Sequence, residues 1–286
     1  MGVWLSPRTS FTKLYIKVKG DDKEAYYGIY EIVEPIDKSF IKNRFSKTKT
    51  DDNGFLWKCL WGANLLNDSQ LDSKIGMEDI DPLDDKNSKT YPYDLKIDKK
   101  LFNDAKSDIK TFISNLNSLN GDDFSNFIEN NFDYDQFLKL YATSVMVGMW
   151  DDFWANNGNN YYLYYDKLDS KKWYFIPYDY DNTLGISQGF DTGTRDVMKW
   201  GDTTQSVLIE KILNVEKFRN LYKNYIRELC DPNRDLFDPD KSKARIENWQ
   251  SLISPYMTGI DVTSNSENNY NKIDDSSNIS FSITKN

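Results

Sequence analysis

Histidine is absent from this chain of 286 residues, and cysteine occurs only twice. Without imidazole there is no Ser-His or Cys-His nucleophilic pair, no histidine acid–base chemistry and no ordinary catalytic zinc centre. Cys59 and Cys230 lie far apart and form no metal-ligand spacing. Each sits in an apolar segment, so a buried free thiol is expected at both. A basic excess is missing too: 36 Lys and Arg stand against 45 Asp and Glu, a net charge of −9. That balance opposes phosphate backbones and anionic lipid, so no nucleic-acid partner is expected. No apolar run reaches the length of a membrane span, and MGVWLSPRTS lacks the charged-then-apolar layout of a signal peptide. Neither a membrane span nor an export address is therefore expected in this sequence.

Aromatic residues are plentiful, at 15%, within a hydrophobic content of 39%. That is enough for one large domain or two lobes. Chemistry is left to Asp, Glu, Asn, Lys, Arg and Tyr. These gather in residues 149–185, MWDDFWANNGNNYYLYYDKLDSKKWYFIPYDYDNTLG. The acidic pair Asp151 and Asp152 opens an Asn-rich loop; an aromatic hairpin follows and ends on Asp179 and Asp181. A hairpin returns to its starting end, so the two acidic groups can meet there with Asn amides between them. Carboxylates and amides gathered without Lys or Arg call for a hard cation such as Mg²⁺ or Mn²⁺.

Around this stretch the periodicities change along the chain. TKLYIKVKG alternates, Leu14, Ile16 and Val18 against Lys13, Tyr15, Lys17 and Lys19, and YYGIYEIVE returns as a second strand. Ile36, Phe40, Ile41 and Phe45 have helical spacing, and GFLWKCLWGANL reads as a short strand. Residues 64–98, rich in Asp, Asn and Ser, read as a surface excursion. Helical stripes follow: Phe102, Ala105, Ile109, Phe112, Ile113 and Leu116, then a shorter helix near Phe124–Ile128. Asp133 and Gln136 form a capping-box pattern for a helix that Gly148 stops. One helix is expected over 205–229 and one over 240–257, the latter with Ile246, Trp249, Ile253 and Tyr256 on one face. Strands followed by a mostly helical body with one inserted hairpin predict an α+β, two-lobed fold.

A helix, a loop with Asp and Asn, a hairpin and a further Asp follow the order of parts in a protein-kinase active site, although no HRD or DFG lettering is present. The stretches YYGIYEIVEPIDKSFIKNRF, GFLWK, GMWDDFWANNGNNYYLYYD and KWYFIPYDYDNTLG, with a weaker match at LIEKILNVEKFRNLY, resemble the CotH family of spore coat protein H kinases, which are atypical kinase-like proteins. The resemblance covers most of residues 7–230. It implies an atypical protein-kinase-like two-lobed fold with an incomplete small lobe and a mostly helical large lobe. The implied division is a CotH kinase-like domain over 1–260 (1–62 small-lobe remnant and hinge, 63–260 large lobe) and a loose polar tail over 261–286.

Carried over by residue, the resemblance makes Asp151 the catalytic Asp, with Asp152 as its alternative, and Asn160 a metal ligand, with Asn156 as its competitor. It makes Asp179 a metal ligand and Asp181 a second one. It sets Glu31 or Glu34 near the adenine or ribose, and leaves Lys58 as the basic candidate for the phosphates. ATP with Mg²⁺ or Mn²⁺ is the implied cofactor set. The implied activity is Ser/Thr phosphorylation of a secreted, surface or coat protein, at an extracellular, cell-surface or spore-surface location. The other reading is a non-catalytic surface, coat-assembly or adhesion module that retains the fold.

Plainer roles stand beside these. Asp151 and Asp152 read equally as solvated loop charges, and Asp179, Asp181 and Asn182 as turn formers that bond their own backbone. Trp150, Trp154, Tyr161, Tyr162 and Trp173 are expected in the core, and Lys58 reads as a strand residue with its ammonium in water.

Overall fold

The computed structural model describes residues 2–45, 54–79, 88–154, 158–185, 194–200, 207–234 and 236–257. Asn156 and the expected tail over 261–286 lie outside the described residues. Helices and small sheets combine in an α+β fold. The chain divides into two compact units: Met1–Pro7 with Pro35–Leu236, and Arg8–Glu34 with Phe237–Asn286.

In the smaller unit, β1 (Thr9–Ile16) and β2 (Ala25–Val33) pair antiparallel, with a register shift between Leu14 and Tyr15. The alternation sets up the strand, but Ile16 and Val18 remain exposed at 37% and 57%. At the open end of the ribbon the Arg8 guanidinium grips the Glu34 carboxylate through two contacts, 2.7 and 3.2 Å. Glu31 is exposed, opposite Phe11.

The larger unit is built on a five-stranded sheet. Helix α1 (Lys38–Phe45) is followed by β3 (Gly54–Cys59), the single turn α2 (Leu71–Lys74), and the short strands β4 (Ile75–Gly76) and β5 (Tyr93–Leu95). Three helices come next, α3 (Phe102–Ser118), α4 (Gly121–Asn131) and α5 (Tyr134–Val147). The hairpin β6 (Tyr161–Asp166) and β7 (Trp173–Pro177) completes the sheet, and α6 (Val207–Asn214) and α7 (Glu216–Leu229) close the unit. Strand order is β4-β5-β3-β6-β7, with only the β4–β5 pair parallel.

Side chains alternate across a pleated sheet. Phe55, Trp57, Cys59, Tyr93, Leu95, Tyr161, Leu163, Trp173 and Phe175 therefore enter the main core, which α3 supplies with Ala105, Ile109, Phe112, Ile113 and Leu116. Each large apolar side chain buried there contributes about 1.5–3 kcal/mol. Leu56, Tyr162, Tyr164 and Ile176 on the other face pack with Ile36, Phe40 and Ile41 of α1 and the segment before it. Four of the five aromatics expected in the core are buried, and Trp150 is half-buried.

Helix α5 begins and ends where its capping pattern predicts. Asp133 accepts the Gln136 N–H, and Gly148 takes the left-handed region at φ 68°, donating to the Ser144 and Val145 carbonyls. In the smaller unit, α8 (Pro239–Ile253) has an Asp238 cap and a proline in its first turn.

Four expectations need correction. Residues 64–98 are not a surface excursion: they supply β4 and β5, with Leu65, Leu71, Ile75, Tyr93 and Leu95 buried. Strands of two and three residues are too short to show a period, and the buried Asp94 between Tyr93 and Leu95 mimics a loop composition. The helix expected over 205–229 is two, because Val215 is extended at φ −83°, ψ 119° and restarts the chain as α7. The apolar stripe of α8 is largely not core: Ile246, Trp249 and Tyr256 are 41%, 57% and 42% exposed. Finally, Cys59 is buried, and burial pushes its thiol well up, whereas Cys230 is exposed. No helix among the described residues is long and apolar enough to cross a membrane.

Candidate functional site

The end of α5 and the end of β7 are held together by main chain. The Leu184 N–H donates to the Val147 carbonyl at 2.6 Å, tying the loop after β7 to the last turn of α5. The Tyr178 N–H donates to the Asn160 carbonyl at 3.1 Å, closing the base of the hairpin. Gly158 fits the loop between them for a steric reason. Its φ is +63°, and a Cβ there would stand 2.8–2.9 Å from the backbone of Ala63 and Asn64. Acidic groups 28 residues apart (151 to 179) are thereby brought to one place.

Asp151 is half-buried and surrounded by amides. The Asn159 Nδ2 donates to its Oδ1 at 3.2 Å, the Asn182 Nδ2 to its Oδ2 at 3.4 Å, and the Asn160 Nδ2 to its main-chain carbonyl at 2.8 Å. Asp152 points elsewhere. It is 1% exposed, accepts the Trp154 N–H at 3.2 Å, and its charge helps to hold the buried Tyr141 and Tyr180 hydroxyls well above their usual range, after burial itself. Asp152 thus belongs to the core lining, and only Asp151 faces the loop cluster.

Asn160 and Asp179 both adopt left-handed backbone, at φ 58° and 59°. Among residues with a side chain, Asn and Asp enter that region most readily. Asp179 is exposed, yet its carboxyl is raised above the ordinary range, first by partial burial, then by the charges of Asp181 and Asp151, with Lys58 pulling the other way. The Asp181 Oδ1 accepts the same Asn182 amide at 3.0 Å. Asp151, Asn160, Asp179 and Asp181 therefore form one cluster.

Lys58 lies on β3 opposite Tyr162 on one side and Asp94 on the other. The residue is half-buried, with its ammonium 5.0 Å from the centre of the Tyr178 ring. A second acidic group lies beyond it. Lys96 is ion-paired to both Glu78 and Asp94, and the Glu78 N–H donates to Asp94 Oδ1 at 2.7 Å. Lys96 holds the Glu78 carboxyl below its ordinary range, with Lys58 adding a smaller pull. Glu31 and Glu34 lie in the smaller unit.

Sequence reasoning did not single out Asn159, Glu78, Asp94 or Lys96, and it read Asn182 as a turn former. The amide run flanking Asn160 was the available signal for Asn159. For Asp94 the signal was an Asp between two large apolar residues.

Among the described residues, no three Asp, Glu or Cys side chains converge closely enough to hold a metal ion by themselves. The available donors are carboxylate and amide oxygens, a set that suits a hard divalent cation and excludes thiophilic metals. The Asn182 N–H group between the Asp151 and Asp181 oxygens marks where positive charge is favoured.

A family model described as CotH kinase protein matches residues 3–281. The chain belongs to the CotH kinase family. Two similar proteins of Rhizopus delemar are named invasins. Invasin CotH3 is 35% identical over 59 residues, 21% of this chain and 10% of that protein. Invasin CotH7 is 33% identical over 101 residues, 29% of this chain and 17% of that protein. A third, Spore coat protein homolog 1 of the same organism, is 28% identical over 102 residues, 34% of this chain and 16% of that protein. The matched stretches thus span between 10% and 17% of these curated relatives.

Proposed function

We propose that this CotH chain is an ATP-dependent protein Ser/Thr kinase with a kinase-like two-lobed fold, acting on a surface or coat protein. One observation carries the reading. An Asp at the end of a helix has its main-chain carbonyl bonded by the Asn that opens a hairpin, and the hairpin returns a second Asp to the same cluster. Helix end, Asn and returning Asp are the parts that phosphoryl transfer requires.

Asp151 orients the acceptor hydroxyl and takes its proton as the new O–P bond forms and the bond from the γ-phosphorus to the bridging oxygen breaks, releasing ADP. Asn160 and Asp179 hold Mg²⁺ or Mn²⁺, with Asp181 as a further ligand. When bound, the cation neutralises charge on the phosphates. Lys58, half-buried and near enough to oppose the rise of the Asp179 pKa, is the basic group assigned to the phosphates. The names of the relatives, invasin and spore coat protein homolog, support a surface or coat location.

The test is Asp179→Ala in a transfer assay with Mn²⁺ and ATP. Loss of transfer with an unchanged melting temperature supports the reading; undiminished autophosphorylation or substrate phosphorylation removes it. A second reading, a non-catalytic surface module, is favoured by the lack, among the described residues, of three acidic side chains close enough to share a metal ion. Calorimetry with ATP and Mn²⁺ separates them, because the second predicts no heat of binding.

A further inference from the structure

We propose that Asn182 is a positioning residue that couples the cation-facing Asp181 to the acceptor-facing Asp151 through one side-chain amide. The inference rests on the phosphotransfer reading above.

The Asn182 Nδ2 stands between two carboxylates, 3.4 Å from Asp151 Oδ2 and 3.0 Å from Asp181 Oδ1. On the far side of Asp151 the Asn159 Nδ2 meets Oδ1 at 3.2 Å, so each carboxylate oxygen accepts one amide N–H. A carboxylate bonded at both oxygens is fixed in rotation about its Cβ–Cγ bond. An amide suits the position because it donates without carrying charge. An ammonium or guanidinium there would pair with Asp151 and compete for its proton-accepting oxygen.

The backbone around Asn182 is also fixed. The Thr183 N–H donates to the Asp181 carbonyl at 2.9 Å, and the Leu184 N–H to Val147 at 2.6 Å. Asn182 is therefore anchored to α5, the helix that delivers Asp151. A change at Asp181 on cation binding reaches Asp151 through this shared amide. Asn160 reaches the Asp151 main chain and Asn159 its Oδ1, whereas Asn182 contacts Asp151 and Asp181 together.

The experiment compares wild type with Asn182→Ala, Asn182→Asp and Asn182→Gln, reading kcat and KM for ATP together with Mn²⁺ affinity by titration. Loss of orientation predicts a fall in kcat of about 10- to 100-fold for Asn182→Ala, with KM and Mn²⁺ affinity within about twofold. Asn182→Asp loses kcat similarly without weakening Mn²⁺, because it adds a carboxylate. Asn182→Gln, which keeps the amide, recovers part of the rate. A kcat for Asn182→Ala within about twofold of wild type overturns the proposal, and so does an equal loss of Mn²⁺ affinity. If the wild type neither binds Mn²⁺ nor transfers phosphate, the kinase reading fails. The clamp is then judged by thermal melts of Asp151→Ala, Asn182→Ala and the double variant. Coupled side chains predict non-additive melting shifts; additive shifts overturn the clamp on its own terms.

Discussion

Two acidic clusters lie within electrostatic reach of Lys58, and they differ in one respect. At β5, Glu78 and Asp94 share a lysine: Lys96 bridges them, and Glu78 is held below its ordinary range. Beyond β7, Asp151 and Asp181 accept hydrogen bonds from asparagine amides, and Asp179 is raised above its ordinary range by burial and by its two neighbours. Identical chemical groups are thus stabilising in one place and mutually repelling in the other. Paired acids at a sheet edge hold structure. At the meeting of the two loops, neighbouring acids raise one another's proton affinity, as the raised pKa of Asp179 shows, and perturbed carboxylates of this kind mark functional sites.

The comparison breaks most visibly at Asp179. If the second cluster is the transfer site, Asp179→Ala lowers transfer by about 1000-fold or more, measured with ATP and Mn²⁺, and leaves the thermal midpoint near wild type because one repelling charge has gone. The next effect concerns folding. Lys96→Met strips the first cluster of its cation and leaves Asp94, which is 0% exposed, as an unpaired buried charge. Breaking such a pair costs about 3 kcal/mol, read as a lower midpoint in urea or on heating. An unchanged midpoint would remove the distinction between the clusters.

A smaller effect lies in opposite pH slopes. Glu78 has a depressed pKa, so its contribution is present above the unfolded-state value and lost as pH falls through the folded one. Asp179 has a raised pKa, so the folded state binds more protons between the unfolded and folded values, and its ionisation destabilises as pH rises through that window. Glu78→Gln is expected to melt below wild type at neutral pH, and Asp179→Asn slightly above it, by about 1–3 °C. Both differences shrink as acidification protonates the wild-type groups. Equal signs at neutral pH would contradict the contrast.

Much of the fold around these clusters was legible in the sequence. The α3 stripe, the Asp133 cap, the Gly148 stop and the β6–β7 hairpin depend on contacts within a few residues, and each forms as its pattern implies. That Asp151, Asp179 and Asp181 meet could be expected because a hairpin closes its own ends; Asn160 was singled out by the family resemblance. Strands β4 and β5 could not, since two or three residues show no period and their place in the sheet comes from distant partners. The Val215 break falls inside a continuous apolar stripe, which periodicity reads straight through. Asp151 and Asp152 were indistinguishable neighbours until one proved buried against α5 and the other bonded to three asparagines.

The sequence by itself determined which chemistry is available here: no imidazole, an acidic balance, and Asp and Asn held at both ends of one aromatic ribbon. Composition and local hydrogen bonding suffice for that, because they act within a turn or a hairpin. Tertiary structure alone decided that Glu78 and Asp94 share a lysine and that Asp151 and Asp181 share an asparagine amide. That choice depends on strands and loops brought together from across the chain, where burial and through-space charge assign each Asp its role.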